Sequence, residues 1–231
     1  MALTFSLIQA SQEKSGRGFD YQAYWRRSLT MAVAGRLIGE HIQCPQADEL
    51  SVTGLLCDVG QLAAFHADAE TYGEVLAQAA QSHEPVHCVE QKRFGVTHEV
   101  FSGHLLDSWG LPDRMVAAIT RHHQDPEEIL SAPRTPGDLL PHLSAAAMIA
   151  EMFCTPTAGQ LAQVTLYVPA LVGVPEEKLQ DILAAIQKKV EETATVWALD
   201  VGHVRSYKEI QAEAVVQLAK LTMATALERA K

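Results

Sequence analysis

The sequence predicts an all-α protein. Apolar residues recur at helical spacing along most of the chain, as at Leu29, Val33 and Leu37. Proline and glycine separate these segments at places typical of helix starts and stops. The longest strand-like run, residues 164–168, lies between helical signals. We therefore expect a multi-helix bundle, and 231 residues with 48% hydrophobic composition suffice for a sizeable core.

Composition excludes several classes of protein. A formal net charge of −10 argues against a nucleic-acid binder, because such proteins usually present a basic face to the phosphate backbone. The first ten residues are apolar but lack the basic start of a signal peptide, and no run of about eighteen apolar residues follows. We expect a cytoplasmic protein that binds neither nucleic acid nor a membrane. The cysteines form no CxxC pair, which fits a reducing compartment, and they are Cys44, Cys57, Cys88 and Cys154.

The first half of the chain predicts a series of helices. Residues 1–10 are typical of the end of a helix, and the polar residues 11–18 of a loop. Asp48 is the expected N-cap of the helix that carries Asp58, and Thr97 that of a later helix. The predicted helices cover residues 21–41, about 48–65, 69–82, a segment ending at the Phe94-Gly95 turn, 98–109 and about 112–123.

The second half is predicted to be helical again after one loop. Residues 125–138 hold three prolines and predict a loop, with room for a short turn of helix. Helices are then predicted over residues 139–153, 158–171, 176–197 and about 206–230. On the last of these, Tyr207, Ile210, Ala214, Leu218 and Leu221 lie near one face, a period that fits either packing on the domain or a dimer or linker helix.

Asp58 is the residue that most needs an explanation. It lies in the apolar segment LLCDVGQL, residues 55–62. An unpaired carboxylate in an apolar setting is very costly, so Asp58 must either turn to water or have a partner.

Several motifs resemble those of one family, in the right order. Residues 24–32 (YWRRSLTMA) are similar to its Trp-Arg-His-Ser helix, and residues 55–62 to its Leu-Leu-His-Asp-Ile-Gly-Lys-Leu segment. Residues 90–112, with Glu, Phe-Gly, His and Trp-Gly-Leu-Pro, and the paired histidines of residues 118–123 follow. The chain thus resembles the HDOD domain, the HD-related output domain of bacterial signalling proteins.

The resemblance implies a division of the chain. Residues 1–20 are expected to be a helix end and linker, residues 20–155 the HD-like helical domain, and residues 156–231 a C-terminal helical extension that packs on the domain or leads to a partner. The match resembles the second half of an HDOD module, which usually begins with another helical lobe.

Catalytic members of the HD superfamily are metal-dependent phosphohydrolases, and several of their ligands are changed here. By the resemblance, Arg27 replaces the first histidine, Cys57 the histidine before Asp58, and Ala145 the closing aspartate. The Gly-Tyr-Pro segment of cyclic-dinucleotide phosphodiesterases does not follow His123. The ligand positions that keep their residues are Asp58, His98, His122 and His123.

Arg27 is the most damaging change. A guanidinium cannot be deprotonated and places a fixed positive charge where a divalent cation would lie. We therefore predict an Arg27–Asp58 salt bridge and no bound cofactor. The alternative is a divalent ion such as Mn, Fe or Zn held by Asp58, His98, His122 and His123.

Simpler interpretations exist for each residue. His98 is expected on the face of Phe101 and Leu105, where a histidine is commonly a hydrogen-bonded core residue. His122 and His123 would end a helix, where cations are ordinary, and at least one should face the core. Cys57 fits a small buried hydrophobic residue, and Arg27 could lie on a solvated face.

The resemblance implies a non-catalytic signalling module that acts through a protein partner or output domain, or by a conformational relay. A homodimer through the C-terminal helix is also open. The alternative function is a metal-dependent phosphohydrolase acting on a nucleotide or cyclic dinucleotide, and a third is nucleotide binding without cleavage.

Overall fold

The computed structural model describes residues 18–229, apart from the side chains of Leu221 and residues 224–229. Every regular element in that range is a helix, so the predicted all-α fold is confirmed. The predicted helix end at residues 1–10 lies outside the described residues. The helices are α1 Tyr21–His41, α2 Ala47–Leu56, α3 Val59–Ala67, α4 Ala69–Ser82, α5 Val86–Phe94, α6 His98–Ser108, α7 Asp113–Ile119, α8 Pro126–Ser131, α9 Leu140–Cys154, α10 Ala158–Val172, α11 Glu176–Val196 and α12 Tyr207–Arg229.

Local signals place most helix ends correctly. The predicted bounds of α1 and α4 are those of the structure, and left-handed glycines end α5 at Gly95 and α10 at Gly173, as expected of C-caps. The short helix α8 lies in the predicted 125–138 loop, and the Asp125 side chain accepts a hydrogen bond from the backbone N–H of Glu127 at its start.

The helix predicted around Asp58 is wrong. Helix α2 ends at Leu56, and Asp58 is the residue before α3, with φ −97° and ψ 13°. Asp58 is therefore not inside a helix but in the turn between two helices. The residue before α2 is Gln46, so Asp48 lies in the first turn of that helix rather than at its N-cap.

The helix predicted to reach the paired histidines is also shorter than expected. Helix α7 ends at Ile119, and His122 and His123 lie in the turn that follows. The Thr120 hydroxyl donates to the carbonyl groups of Val116 and Ala117, and the His122 ring binds the Ile119 carbonyl. These side chains compete with a continued helix for backbone carbonyl groups.

Helix α1 is the centre of the bundle. It packs against α2, α9 and α11, and its residues Leu29, Met31, Ala34 and Ile38 are fully buried. Small residues allow the closest approaches: a Cβ added at Gly54 of α2 would lie 2.9 Å from the Met31 backbone. The N-terminal half of the site therefore rests on a rigid helix pair.

The C-terminal helices share this core. One hydrophobic cluster extends from Phe19 to Ile210, across the predicted boundary near residue 155, which stays a prediction. On α12, Ile210 and Ala214 are buried, whereas Leu218 is exposed. The predicted packing face of α12 thus covers its first part and does not include Leu218.

One segment, Ala47–Ala67, is long and apolar enough by composition to cross a membrane. It spans α2 and α3, and 56% of its apolar window is buried inside the protein. Core helices of soluble proteins commonly pass the same test.

Candidate functional site

The site forms where four parts of the chain meet at Asp58. Arg27 comes from α1, Asp58 from the turn between α2 and α3, and His98 from the first residue of α6. His122 and His123 come from the turn after α7. The structure thus brings together the predicted polar site residues, although they are up to 96 positions apart in the sequence.

The predicted Arg27–Asp58 ion pair is present. Arg27 Nε donates to Asp58 Oδ2 at 2.9 Å, and the Asp58 side chain is only 2% exposed. A second nitrogen of Arg27 contacts the Glu151 carboxylate of α9. Burial alone would raise the pKa of Asp58, but the charge of Arg27 and the nearby imidazoles of His122 and His98 lower it well below its usual value. Asp58 is therefore an anion.

His98 is held between two acids. Glu90 Oε2 accepts hydrogen bonds from the backbone N–H of His98 at 2.8 Å and from its Nδ1 at 2.7 Å. His98 Nε2 lies 3.4 Å from Asp58 Oδ1. Burial opposes the charged imidazolium, yet the bonds and charges of Asp58 and Glu90 raise its pKa to about 9. The Tyr72 hydroxyl donates to the other oxygen of Glu90, which fixes that carboxylate.

Glu90, and not the predicted Thr97, caps the start of α6 with its side chain. Thr97 has the extended backbone of an N-cap, but its side chain makes no capping hydrogen bond. The Glu90 carboxylate instead accepts from the first N–H of the helix, where the helix dipole favours a negative charge.

His122 is oriented by the backbone. Its Nδ1 lies 2.7 Å from the Ile119 carbonyl oxygen, which can only accept, so Nδ1 carries the hydrogen. Nε2 then faces Asp58 Oδ1 at 3.3 Å. Both of these atoms are buried and have no well-aligned hydrogen-bond partner among the described residues. Two unpartnered polar atoms thus share one small space.

His123 completes the histidine cluster. Its Nε2 lies 3.1 Å from His98 Nε2, and its ring stacks on His87 with centroids 4.1 Å apart. Burial and the neighbouring imidazoles of His122 and His98 lower its pKa well below the usual value, so His123 is neutral. A neutral ring accepts the hydrogen that a protonated His98 donates.

The surviving donors fit a divalent metal ion. Ligand atoms of Asp58, His98, His122 and His123 all lie within 4.8 Å of one another. The Nδ1 hydrogens of His98 and His122 are bound by a carboxylate and a carbonyl, which is the usual support of a metal-binding histidine. The unpartnered Asp58 Oδ1 and His122 Nε2 face the same space. Three imidazoles and a carboxylate suit Zn, Fe or Mn.

Arg27 and the histidines contact Asp58 at different atoms. The guanidinium binds Asp58 Oδ2, whereas the three imidazoles face Oδ1 or each other. Arg27 therefore supplies a positive charge to the carboxylate at a different oxygen from the one that the imidazoles of His98 and His122 face.

Two of the changed ligand positions are apolar in character. Cys57 is fully buried, and desolvation raises the pKa of its thiol well above the usual value, so it is a neutral thiol in the core. Ala145 of α9 is also fully buried. Neither position offers a charged ligand.

The residues predicted to share the face of His98 are less buried than His98 itself. Phe101 is 38% exposed and Leu105 is half-buried, whereas His98 is buried. His122 is buried, as predicted for at least one of the paired histidines. His98 is thus both a hydrogen-bonded core residue and part of the metal-ligand cluster.

Sequence reasoning missed Glu151, and it did not assign roles to Glu90, Tyr72 or His87. A signal for Glu151 was present: it is the only Asp, Glu, Lys or Arg in the apolar helix α9. The same argument that singles out Asp58 applies to it. Glu90 and Tyr72 carry no comparable local signal, since their pairing depends on how α4, α5 and α6 pack.

Comparison with known proteins places the chain in a family. The MmoQ response regulator of Methylococcus capsulatus str. Bath is 32% identical, with a TM-score of 0.59 over 74% of this chain and 65% of that one. A candidate phosphohydrolase from Shewanella amazonensis SB2B (19% identity, TM-score 0.61, 80% and 65% covered) and a candidate signal transduction protein from Marinobacter aquaeolei VT8 (17%, 0.56, 76% and 39%) share the fold.

The chain therefore spans 65% of the length of MmoQ and of the Shewanella protein. No curated protein matched the sequence. The HDOD domain family matches residues 1–125, more than half of the chain. The motifs that resemble this family include Asp58, His98 and the paired histidines, and on this evidence the protein belongs to the HDOD domain family.

Proposed function

We propose that the protein is a non-catalytic signalling module that acts through a protein partner or by a conformational relay. The observation that carries the proposal is the Arg27–Asp58–Glu151 network, because it stabilises the buried carboxylate with a fixed charge of the chain itself. Membership of the HDOD family and similarity to the MmoQ response regulator support a role in signalling.

The polar network is suited to a relay because it joins five helices and the Asp58 turn through direct contacts. Each link is a hydrogen bond or ion pair between side chains of different segments, so a shift in one helix changes the partner geometry of the next. The linked residues, in order from α4 to α9, are Tyr72, Glu90, His98, Asp58, Arg27 and Glu151.

Charge balance supports the same proposal. Asp58 and Glu90 are buried acids, and Arg27 and a protonated His98 supply two positive charges against them. The buried part of the network is thus close to neutral, which limits its desolvation cost. A surface event that displaces one charge, for example at the half-exposed Glu151, would unbalance the rest.

A metal-dependent phosphohydrolase remains the second candidate, and one observation favours it: the four donors of Asp58, His98, His122 and His123 converge. When bound there, a divalent cation supplies an acidified water and neutralises phosphate charge. Glu90 would hold the His98 ring in place, and the Ile119 carbonyl would hold His122.

Metal content and phosphodiester cleavage separate the two candidates. The purified protein is washed with a chelator, dialysed with Mn²⁺ or Zn²⁺, and assayed for bound metal and for cleavage of bis(p-nitrophenyl) phosphate. The control is the His122→Ala/His123→Ala variant. For the non-catalytic module we expect the same background cleavage in both proteins. About one retained ion per chain together with cleavage that the control loses would overturn the proposal.

A further inference from the structure

An apolar groove lies on the surface formed by α3, α4 and α6. Its cavity is about 450 Å³ and its walls include Ala63, Ala64 and Ala67 of α3, Tyr72 of α4, and Phe101 and Leu105 of α6. Phe94 also lines it, and the Phe94 and Phe101 side chains are 39% and 38% exposed. Two exposed phenylalanines that share one groove mark a contact surface.

The first described residues contact α3, the helix that forms one wall of the groove. The Phe19 ring lies 5.0 Å from the ring of Phe65, a residue of α3. The same helix supplies the alanine wall of the groove. Residues 11–18 connect residues 1–10 to Phe19 and can extend to roughly 26 Å, at about 3.3 Å per residue. This length exceeds the diameter of one helix, about 10 Å, so the linker is long enough to pass around α3.

The segment before that linker is apolar, as the groove is. Residues 1–10 (MALTFSLIQA) contain no charged residue, and Leu3, Phe5, Leu7 and Ile8 are large and apolar. Residues 11–18 are polar and contain Glu13, Lys14 and Arg17. The HDOD family match includes residues 1–17 together with all of the residues that form the groove, so both belong to one domain.

We infer that residues 1–10 dock in this groove and cover Phe94 and Phe101 with their apolar side chains. The short linker keeps the segment at a high effective concentration near α3, so a modest apolar contact suffices to hold it. The groove is then an internal docking site whose occupant this chain supplies. Because Tyr72 lines the groove and also binds Glu90, release of the segment would act on the first link of the polar network.

Dye binding to the full-length chain tests this inference. The probe is 8-anilinonaphthalene-1-sulfonate, which fluoresces when it binds an exposed apolar surface. We expect weak fluorescence with the wild-type chain and a several-fold rise with Phe5→Asp, because the charged side chain releases the segment. Phe5→Leu keeps an apolar side chain and should behave as the wild type does.

Two further variants separate the groove from other surfaces. Phe5→Asp/Phe101→Asp should lose most of the added fluorescence, since the dye site itself carries a charge. Leu166→Asp changes an exposed leucine of α10 outside the groove and should leave the signal unchanged. Circular dichroism of each variant must match the wild type. If Phe5→Asp unfolds the chain, Phe5→Asn replaces it, since an uncharged polar side chain also weakens the apolar contact.

Equal dye binding by the wild type and Phe5→Asp would overturn the inference. So would a wild-type chain that excludes the dye only as a dimer, with fluorescence that rises on dilution as light scattering falls to the monomer mass. That outcome would assign the groove to a second copy of the chain.

Discussion

At Asp58, the two carboxylate oxygens have different kinds of partner. Oδ2 accepts from Arg27, a donor whose charge does not depend on pH, whereas Oδ1 faces the imidazoles of His98 and His122. The carboxylate thus has a permanent counter-ion on one side and titratable groups on the other. Oδ2 therefore contributes to stability through Arg27, and Oδ1 is the oxygen that would take part in any binding together with the histidines.

Arg27→Ala should strongly destabilise the protein. Removal of the guanidinium leaves Asp58 buried without its counter-ion, and loss of one partner of a buried pair typically costs about 3–5 kcal/mol. The free energy of unfolding in urea measures the effect. The matched control is Arg36→Ala on the same helix, whose pair with Glu40 is exposed and should contribute well under about 1 kcal/mol. Equal stability of the two variants would contradict the prediction.

The stability of the protein should depend on His98 between neutral and alkaline pH. The folded-state pKa of His98 is about 9, above the unfolded value of about 6.5, because Asp58 and Glu90 stabilise the imidazolium. Its contribution is therefore fully present below about pH 6.5 and is lost as the pH rises through 9.

Urea unfolding of the wild type and of His98→Gln from pH 6 to pH 10 measures this dependence. The difference in unfolding free energy between the two proteins should shrink as the pH rises. The contributions of all other titratable groups are common to both proteins, so they cancel in the difference. A difference that is constant from pH 6 to pH 10 would show that His98 is neutral in the folded protein.

At the scale of elements, the contact between α3 and α6 positions the site. A Cβ at Gly60 would lie 2.2 Å from the His98 carbonyl oxygen and 2.8 Å from the Ser102 backbone nitrogen. The Ser102 hydroxyl also accepts a hydrogen bond from the Gly60 N–H at 2.8 Å. The two helices therefore approach too closely for any residue but glycine, and this approach brings His98 next to Asp58.

Gly60→Ala should force α3 and α6 apart and destabilise the protein. Overpacking typically costs about 1–3 kcal/mol, and here the obstacle is backbone, which cannot turn aside. The matched control is Gly73→Ala on α4, where nothing lies within 4 Å of the added Cβ. That variant should gain up to about 1 kcal/mol from helix propensity. Thermal midpoints of the two variants should therefore move in opposite directions.

At the scale of the molecule, the buried residues of α12 lie near its N-terminal end, among the side chains of this helix that the structure describes. Ile210 and Ala214 are buried, and Gln217 accepts a hydrogen bond from the backbone N–H of Ala158 at the start of α10. Other apolar residues of the same helix are exposed, namely Val215, Val216, Leu218 and Met223. An apolar helix surface of this kind is typical of an interface, which keeps the predicted dimer or partner contact open.

Two substitutions on α12 separate packing from association. Ile210→Asp should lower the free energy of unfolding by at least about 2 kcal/mol, since it places a charge in the core. Val215→Asp should leave that value within about 0.5 kcal/mol, because Val215 is 67% exposed. If α12 forms a homodimer, sedimentation should show that Val215→Asp is a monomer at a concentration where the wild type is a dimer. A wild type that stays monomeric would contradict the dimer.

The sequence by itself determined the helical fold, most helix ends and the need of Asp58 for a partner. These follow from local causes: apolar spacing, capping residues such as Gly95 and Gly173, and the cost of a buried charge. The prediction that Arg27 is this partner came from the resemblance to the HDOD family, and the structure confirms the Arg27–Asp58 ion pair.

Only the tertiary structure decided the break of the helix before Asp58, the role of Glu151, and the Tyr72–Glu90–His98 chain. It also decided that Arg27 and His122 lie next to different oxygens of the Asp58 carboxylate. Glu151 is 124 residues from Arg27 along the chain, so no local pattern predicts their contact. Such contacts depend on how closely whole helices pack, and a single glycine at position 60 sets that distance for α3 and α6.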